Sequence, residues 1–146
     1  YPLQTFSFNK KIDFTKTPIL IEGNSQKNLE KLKELCRILE VKFEEVDSKK
    51  RLHYHLAASF ANNFTNHILS LTDELVNKFK LEKKFFIPIA NETFKKFQSN
   101  KSKESQTGPA VRNDVKTLKK HEEILKKSNY LNLYKIITKS IKKNDL

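Results

Sequence analysis

Residues 17–46 read TPILIEGNSQKNLEKLKELCRILEVKFEEV. The apolar run TPILIE (17–22) is of strand type, and GNSQ (23–26) supplies a turn and a helix cap. Leu29, Leu32, Leu35, Cys36 and Leu39 then fall on one helical stripe. VKFEEV (41–46) returns to an alternation of strand type. Strand, helix and strand in so short a span form a βαβ unit, with a parallel pair and a right-handed crossover. Parallel sheets are covered on both faces, and two strands do not stand alone as one. Residues 1–47 are therefore expected to be the last piece of a larger α/β domain.

After Asp47 the pattern is helical. Asp47 or Ser48 caps a helix running to about Phe79, and a second helix covers about 82–98, with Pro88 in its early turns. A loop, SNKSKESQTGP (99–109), precedes helices near 113–127 and 130–143, with Asn113 as the N-cap of the first. The expected fold class is mainly α: an all-helical domain over 48–146, preceded by the residual βαβ piece over 1–47.

With 37% apolar residues, eleven Phe and 32% charged residues, the 146-residue chain can bury a core. No apolar run approaches about 18 residues, so a membrane span is not expected and a cytoplasmic protein is. The lone Cys36 reads as a small buried hydrophobe. Residues 95–146 carry fourteen basic and five acidic side chains, which accounts for most of the net charge of +12. Those lysines lie on the outer faces of amphipathic helices, and only three of the 29 basic residues are Arg. Phosphate and base recognition favours Arg, so a solvated lysine face is preferred to a nucleic-acid surface.

Between Leu52 and Thr72, LHYHLAASFANNFTNHILSLT, there is no Lys, Arg, Asp or Glu. At one α-helical turn per 3.6 residues, Leu56, Phe60, Phe64, Leu71 and Leu75 form an apolar stripe. His55, Ser59, Asn62, Asn66, Asp73 and Asn77 form a second, polar stripe with Asn63 at its edge. Solvated faces of this chain carry Lys and Glu, so an uncharged one is expected to be covered by a helix, a subunit or a ligand. As a central helix, its polar groups bond neighbouring backbone. As a cleft wall, it offers His55 for proton transfer and Ser59, Asn62 and Asn63 as hydrogen-bonding groups. His53 and His67 fall on or near the apolar stripe and read as core or interface residues. No His, Cys, Asp and Glu set has metal-ligand spacing.

The chain holds two glycines, and one of them opens TGPAVRND (107–114). Gly108 and Pro109 make a rigid turn that feeds a helix, and Arg112 lies just before that helix. Arg112 is either a local brace on Asp114 or a fork-shaped cation for a carboxylate or phosphate.

Four ordered blocks now carry a resemblance: YPLQTFS, PILIEGNSQKNLEKLKEL, HLAASFANNFTNHILSLTDEL and ESQTGPAVRND with KKHEEIL. Together they resemble the domain-of-unknown-function 2520 family. Its members are similar to pyrroline-5-carboxylate reductase and to the 6-phosphogluconate and 3-hydroxyisobutyrate dehydrogenases. The resemblance implies the carboxy-terminal, substrate-side and dimer-forming helical part of an NAD(P)-dependent oxidoreductase, of the 6-phosphogluconate dehydrogenase type, with residues 1–47 as the residual βαβ end of its Rossmann-like domain. Tyr1 stands where the family usually has His, and Ser59 where the dehydrogenases have a catalytic Lys. Asn62 and Asn63 match the amide positions, and His55 is the remaining proton-transfer candidate. Ser59, Asn66, Gly108, Pro109 and Arg112 are the implied substrate-binding set. No G-x-G-x-x-G is present. NAD(P) is therefore expected for the full-length protein and no cofactor or turnover for this chain alone. The implied partners are a second copy and a small carboxylate-bearing substrate. A helical dimerisation module without enzymatic role and a basic nucleic-acid-binding domain are the alternatives.

Overall fold

The computed structural model describes residues 1–6, 11–99 and 102–143. Part of the 99–109 loop and the last residues of the basic terminal run lie outside them. Two compact units divide the chain, Tyr1–Leu81 and Glu82–Leu146.

In the first unit, strands β1 (Ile19–Ile21) and β2 (Phe43–Glu45) pair in parallel, with Ile19 opposite Phe43 and Ile21 opposite Glu45. Helix α1 (Gln26–Ile38) joins them. Ser25 caps α1 by accepting the Asn28 amide at 3.3 Å, as the GNSQ signal predicts. Past the Leu39 C-cap the chain turns at Glu40, which takes φ 52° while the Val41 amide reaches back to the Cys36 carbonyl at 3.0 Å. Ile21, Leu29, Cys36 and Val41 are buried together, with Ile19, Leu32 and Phe43 packed against them. Each such aliphatic side chain contributes about 1.5–3 kcal/mol when fully removed from water.

The rest of the α1 stripe is open: Leu35 is 50% and Leu39 46% exposed. Two strands about 4.8 Å apart are narrower than a helix about 10 Å across, so this sheet covers only half of the stripe. Along β1, Tyr1–Leu3 runs as an antiparallel segment, with the Leu20 amide on the Tyr1 carbonyl at 2.9 Å and the Leu3 amide on Pro18 at 2.8 Å.

Asp47 caps helix α2 (Ser48–Ala58), accepting the Lys50 amide at 2.6 Å. The expected single helix to Phe79 is continuous in its backbone, but Ser59–Phe64 is a π-helical segment between α2 and helix α3 (Thr65–Lys78). Two hydroxyls support the widened turns: Ser59 donates to the His55 carbonyl at 3.0 Å and Thr65 to the Phe60 carbonyl at 2.9 Å. One residue more than an α-turn holds rotates everything downstream by about 100°.

In the second unit a short turn at Lys83–Phe85 leads into helix α4 (Ile87–Gln98), with Pro88 in its first turn, where a missing amide hydrogen costs nothing. Helices α5 (Val115–Leu125) and α6 (Leu131–Lys143) pack on each other. Ala110, Leu118 and Leu125 are buried in this unit. The N-cap of α5 is Asp114 and not Asn113. Asn113 takes φ 52° to turn the chain, so the next carboxylate meets the Thr117 amide at 3.0 Å.

Candidate functional site

The π segment breaks the polar stripe that α-helical arithmetic draws. His55 and Ser59 precede or begin it, whereas Asn66, Asp73 and Asn77 follow it and are rotated by about 100° relative to that stripe. His55, Asn62, Asn63 and Asn66 are exposed in the chain, and Ser59 is half-buried with its hydroxyl already on the His55 carbonyl. The first half of the apolar stripe is also open, with Leu56 58%, Phe60 61% and Phe64 52% exposed and Leu52, one turn earlier, 64%, whereas Leu71 is buried. Phe60 and Phe64 meet edge to face, 4.9 Å between centroids. His53 and His67 are exposed as well.

His55 is not isolated. Its Nδ1 lies 2.8 Å from the Tyr1 hydroxyl, with the rings edge to face at 6.2 Å. The antiparallel run of Tyr1–Leu3 along β1 places that phenol. When the phenol donates, the ring hydrogen sits on Nε2; in the other tautomer Nε2 accepts.

At the carboxyl ends of β1 and β2, where α/β folds bind ligands, Glu22, Gly23, Leu29, Glu45, Val46, Asp47 and Lys50 line an open cleft. A Cβ on Gly23 would stand 2.9 Å from the Leu29 amide nitrogen, so only glycine lets this turn approach α1. The acids here are paired. Arg51 bonds Glu22, and the Ser48 hydroxyl donates to the same carboxylate at 2.7 Å. Lys33 bridges Glu30 at 3.1 Å and Glu45 at 3.0 Å. The Lys50 ammonium, 2.5 Å away, and then the Tyr54 hydroxyl hold the Glu44 carboxyl below its ordinary range. The same contact raises the Lys50 ammonium, and the Glu44 carboxylate raises the Tyr54 phenol. With its cations engaged and no glycine-rich turn, the cleft does not fit a dinucleotide's pyrophosphate. Among the described residues, no group of three or more His, Cys, Asp and Glu could hold a metal ion.

The second unit contains Gly108, Pro109 and Arg112. Gly108 takes φ +109°, and an added Cβ there would meet nothing within 4 Å. The loop then winds tightly: the Arg112 amide reaches the Gly108 carbonyl at 3.3 Å and the Asp114 amide reaches Pro109 at 2.9 Å. Lys142 on α6 donates to the Asn113 side chain at 2.9 Å. Arg112 is exposed, and among the described residues its guanidinium has no hydrogen bond or ion pair. The brace to Asp114 is therefore electrostatic only. The Thr117 amide and hydroxyl hold the Asp114 carboxyl below its usual range, and the charges of Arg112 and His121 add to this.

A pair that the sequence does not single out lies on the same helix. His121 Nδ1 is 2.9 Å from the Tyr134 hydroxyl on α6, with the rings edge to face at 5.8 Å. His121 falls two turns after Asp114 on the face that also carries Leu118 and Leu125, a spacing visible in the sequence. Its partner comes from another helix, which no spacing reveals.

The fold is thus a mainly helical chain behind a βαβ piece, with no helix among the described residues long and apolar enough to cross a membrane. The chain belongs to the family described as "Domain of unknown function (DUF2520)", whose model matches residues 17–141. It is similar to the crystal structure of a protein from Bacteroides fragilis described as a "putative NADP oxidoreductase", with 35% identity and a TM-score of 0.90. That match covers 98% of this chain and 56% of the other, so the chain spans little more than half of that protein's length. No curated protein matches the sequence.

Proposed function

We propose that this chain is the substrate-side and dimer-forming part of an NAD(P)-dependent oxidoreductase acting on a small carboxylate-bearing substrate in the cytoplasm. The likeness along nearly the whole chain to a protein described as a "putative NADP oxidoreductase" carries this reading. The cleft at the ends of β1 and β2 does not fit a pyrophosphate, so the dinucleotide is assigned to a part of the protein beyond this chain. Arg112 supports the substrate class, because an exposed guanidinium without a partner matches a carboxylate bidentately. His55, Ser59, Asn62 and Asn63 are the proposed polar wall, with Asn66 turned to a neighbouring face past the π segment, a kind of segment frequent at functional sites. A second copy is the proposed cover for Leu52, Leu56, Phe60 and Phe64.

The test uses protein expressed from the full reading frame. NADPH and NADH are titrated by fluorescence, and their oxidation is followed with a panel of 2-oxo acids and cyclic imino acids. Micromolar binding of one nucleotide, with oxidation dependent on one acid class, is the expected result. Failure of both nucleotides to bind at millimolar concentration would refute the proposal.

A further inference from the structure

Tyr1 and His55 meet within the first compact unit, one from the segment along β1 and the other from α2. The phenolic oxygen lies 2.8 Å from His55 Nδ1, and the two rings stand edge to face at 75°. Both side chains leave a fixed backbone. The Tyr1 nitrogen donates to the Leu20 carbonyl at 2.9 Å, the Leu20 amide donates back to the Tyr1 carbonyl at 2.9 Å, and Leu20 is buried. Tyr1 also lines an apolar hollow with Leu20, Leu35 and Leu39, so its ring body is seated while its hydroxyl reaches α2. On α2, the His55 carbonyl accepts from both the amide and the hydroxyl of Ser59. Arg51, one turn before His55, is engaged with Glu22.

The chemistry of the two groups sets the direction of their bond. A neutral imidazole nitrogen accepts far better than a phenolic oxygen, whose lone pair is drawn into its ring. Among the described residues the Tyr1 hydroxyl has no other acceptor. The phenol therefore donates to Nδ1, and the His55 ring carries its own hydrogen on Nε2. Nε2 has no hydrogen-bond partner among the described residues, and His55 is exposed, so this N–H is open to a ligand.

We infer that Tyr1 is the positioning residue for His55: it holds the imidazole in one tautomer and one plane and so presents Nε2–H as a fixed donor to the substrate oxygen. The inference rests on the oxidoreductase reading for the task of His55. In the reduction of a 2-oxo acid, hydride from the nicotinamide reaches the carbonyl carbon and negative charge gathers on the oxygen. A donor already in place there needs no reorganisation as the charge develops.

The test compares wild type and Tyr1→Phe of the full-reading-frame protein, each labelled with ¹⁵N in its histidines, with His55→Asn used to assign the His55 signals. Wild-type His55 is expected as a single Nε2–H tautomer. Tyr1→Phe keeps the ring contact but loses the hydroxyl, and should give a mixture of both tautomers with an unchanged melting temperature. NADPH oxidation is then followed with the 2-oxo acid that wild type reduces fastest. Tyr1→Phe should lower kcat about tenfold and leave KM unchanged, part of the roughly 10²–10⁴-fold that a positioned acid–base group supplies. A merely structural contact would move neither the tautomer nor kcat alone.

A tautomer mixture in wild type, or a pattern that ignores Tyr1→Phe, overturns the inference without reference to any activity. If the tautomer changes while kcat does not, in a protein that oxidises NADPH, Tyr1 only braces its segment on α2 and the oxidoreductase reading stands. If wild type shows the single tautomer but binds neither NADPH nor NADH, the oxidoreductase reading fails first, and the task assigned to His55 goes with it.

Discussion

Phe60→Ala is the most decisive single change for the proposed assembly. A phenylalanine presents about 200 Å² of side chain, and Phe60 leaves 61% of itself exposed on the π segment. Truncation to Ala removes about 100 Å² of that uncovered apolar surface, or about 2.5 kcal/mol at 25 cal/mol per Å². In a two-fold dimer the same residue is lost from both protomers, about 5 kcal/mol in all. Area overstates affinity, because association also costs translational freedom and side-chain order. Even at half that value, the dimer Kd rises by about two orders of magnitude.

The assay is sedimentation velocity of the full-reading-frame protein from submicromolar to tens of micromolar. Thermal unfolding is run beside it, because losing the Phe60–Phe64 ring contact itself costs about 0.5–1.5 kcal/mol of fold stability. A wild-type protein that stays monomeric throughout would refute the reasoning. So would a dimer whose Kd ignores the substitution while the protein remains folded.

The two glycines should fail for different reasons. Gly108→Ala meets only the backbone cost of φ +109°, about 1–2 kcal/mol, whereas Gly23→Ala drives a Cβ to 2.9 Å from the Leu29 amide nitrogen and should cost more; urea unfolding of both variants ranks them. Asp114→Ala should lower the melting temperature, and Asp114→Asn should retain most of it, since both Asp and Asn cap. The lowered Asp114 carboxyl contributes stability fully above about pH 4, the unfolded value, and loses it as pH falls through the lower folded value. Melting curves between pH 2 and 6 should therefore converge for wild type and Asp114→Ala at the acid end.

Local signals carried the secondary structure far. The alternation in TPILIE and VKFEEV, the cap at Ser25, the apolar period of α1 and the Pro88 start of α4 each depend on residues a few positions apart, and each is in place. The α5 cap moved by one residue because Asn113 adopts a left-handed turn, a choice set by its bonds to Ala110 and Lys142.

The sequence by itself determined a βαβ piece followed by amphipathic helices, and it marked the uncharged helix and the Gly-Pro-Arg turn as unusual. Tertiary structure alone decided what those features meet. The π segment is one inserted residue that leaves hydrophobic periodicity almost intact yet rotates the rest of the helix, so the stripe through His55 and Asn66 is not one face. The pairing of His55 with Tyr1, 54 positions away, and of His121 with Tyr134 on a separate helix is set by chain packing. Periodicity records which way a side chain points from its own helix; the partner it reaches depends on where another element is packed.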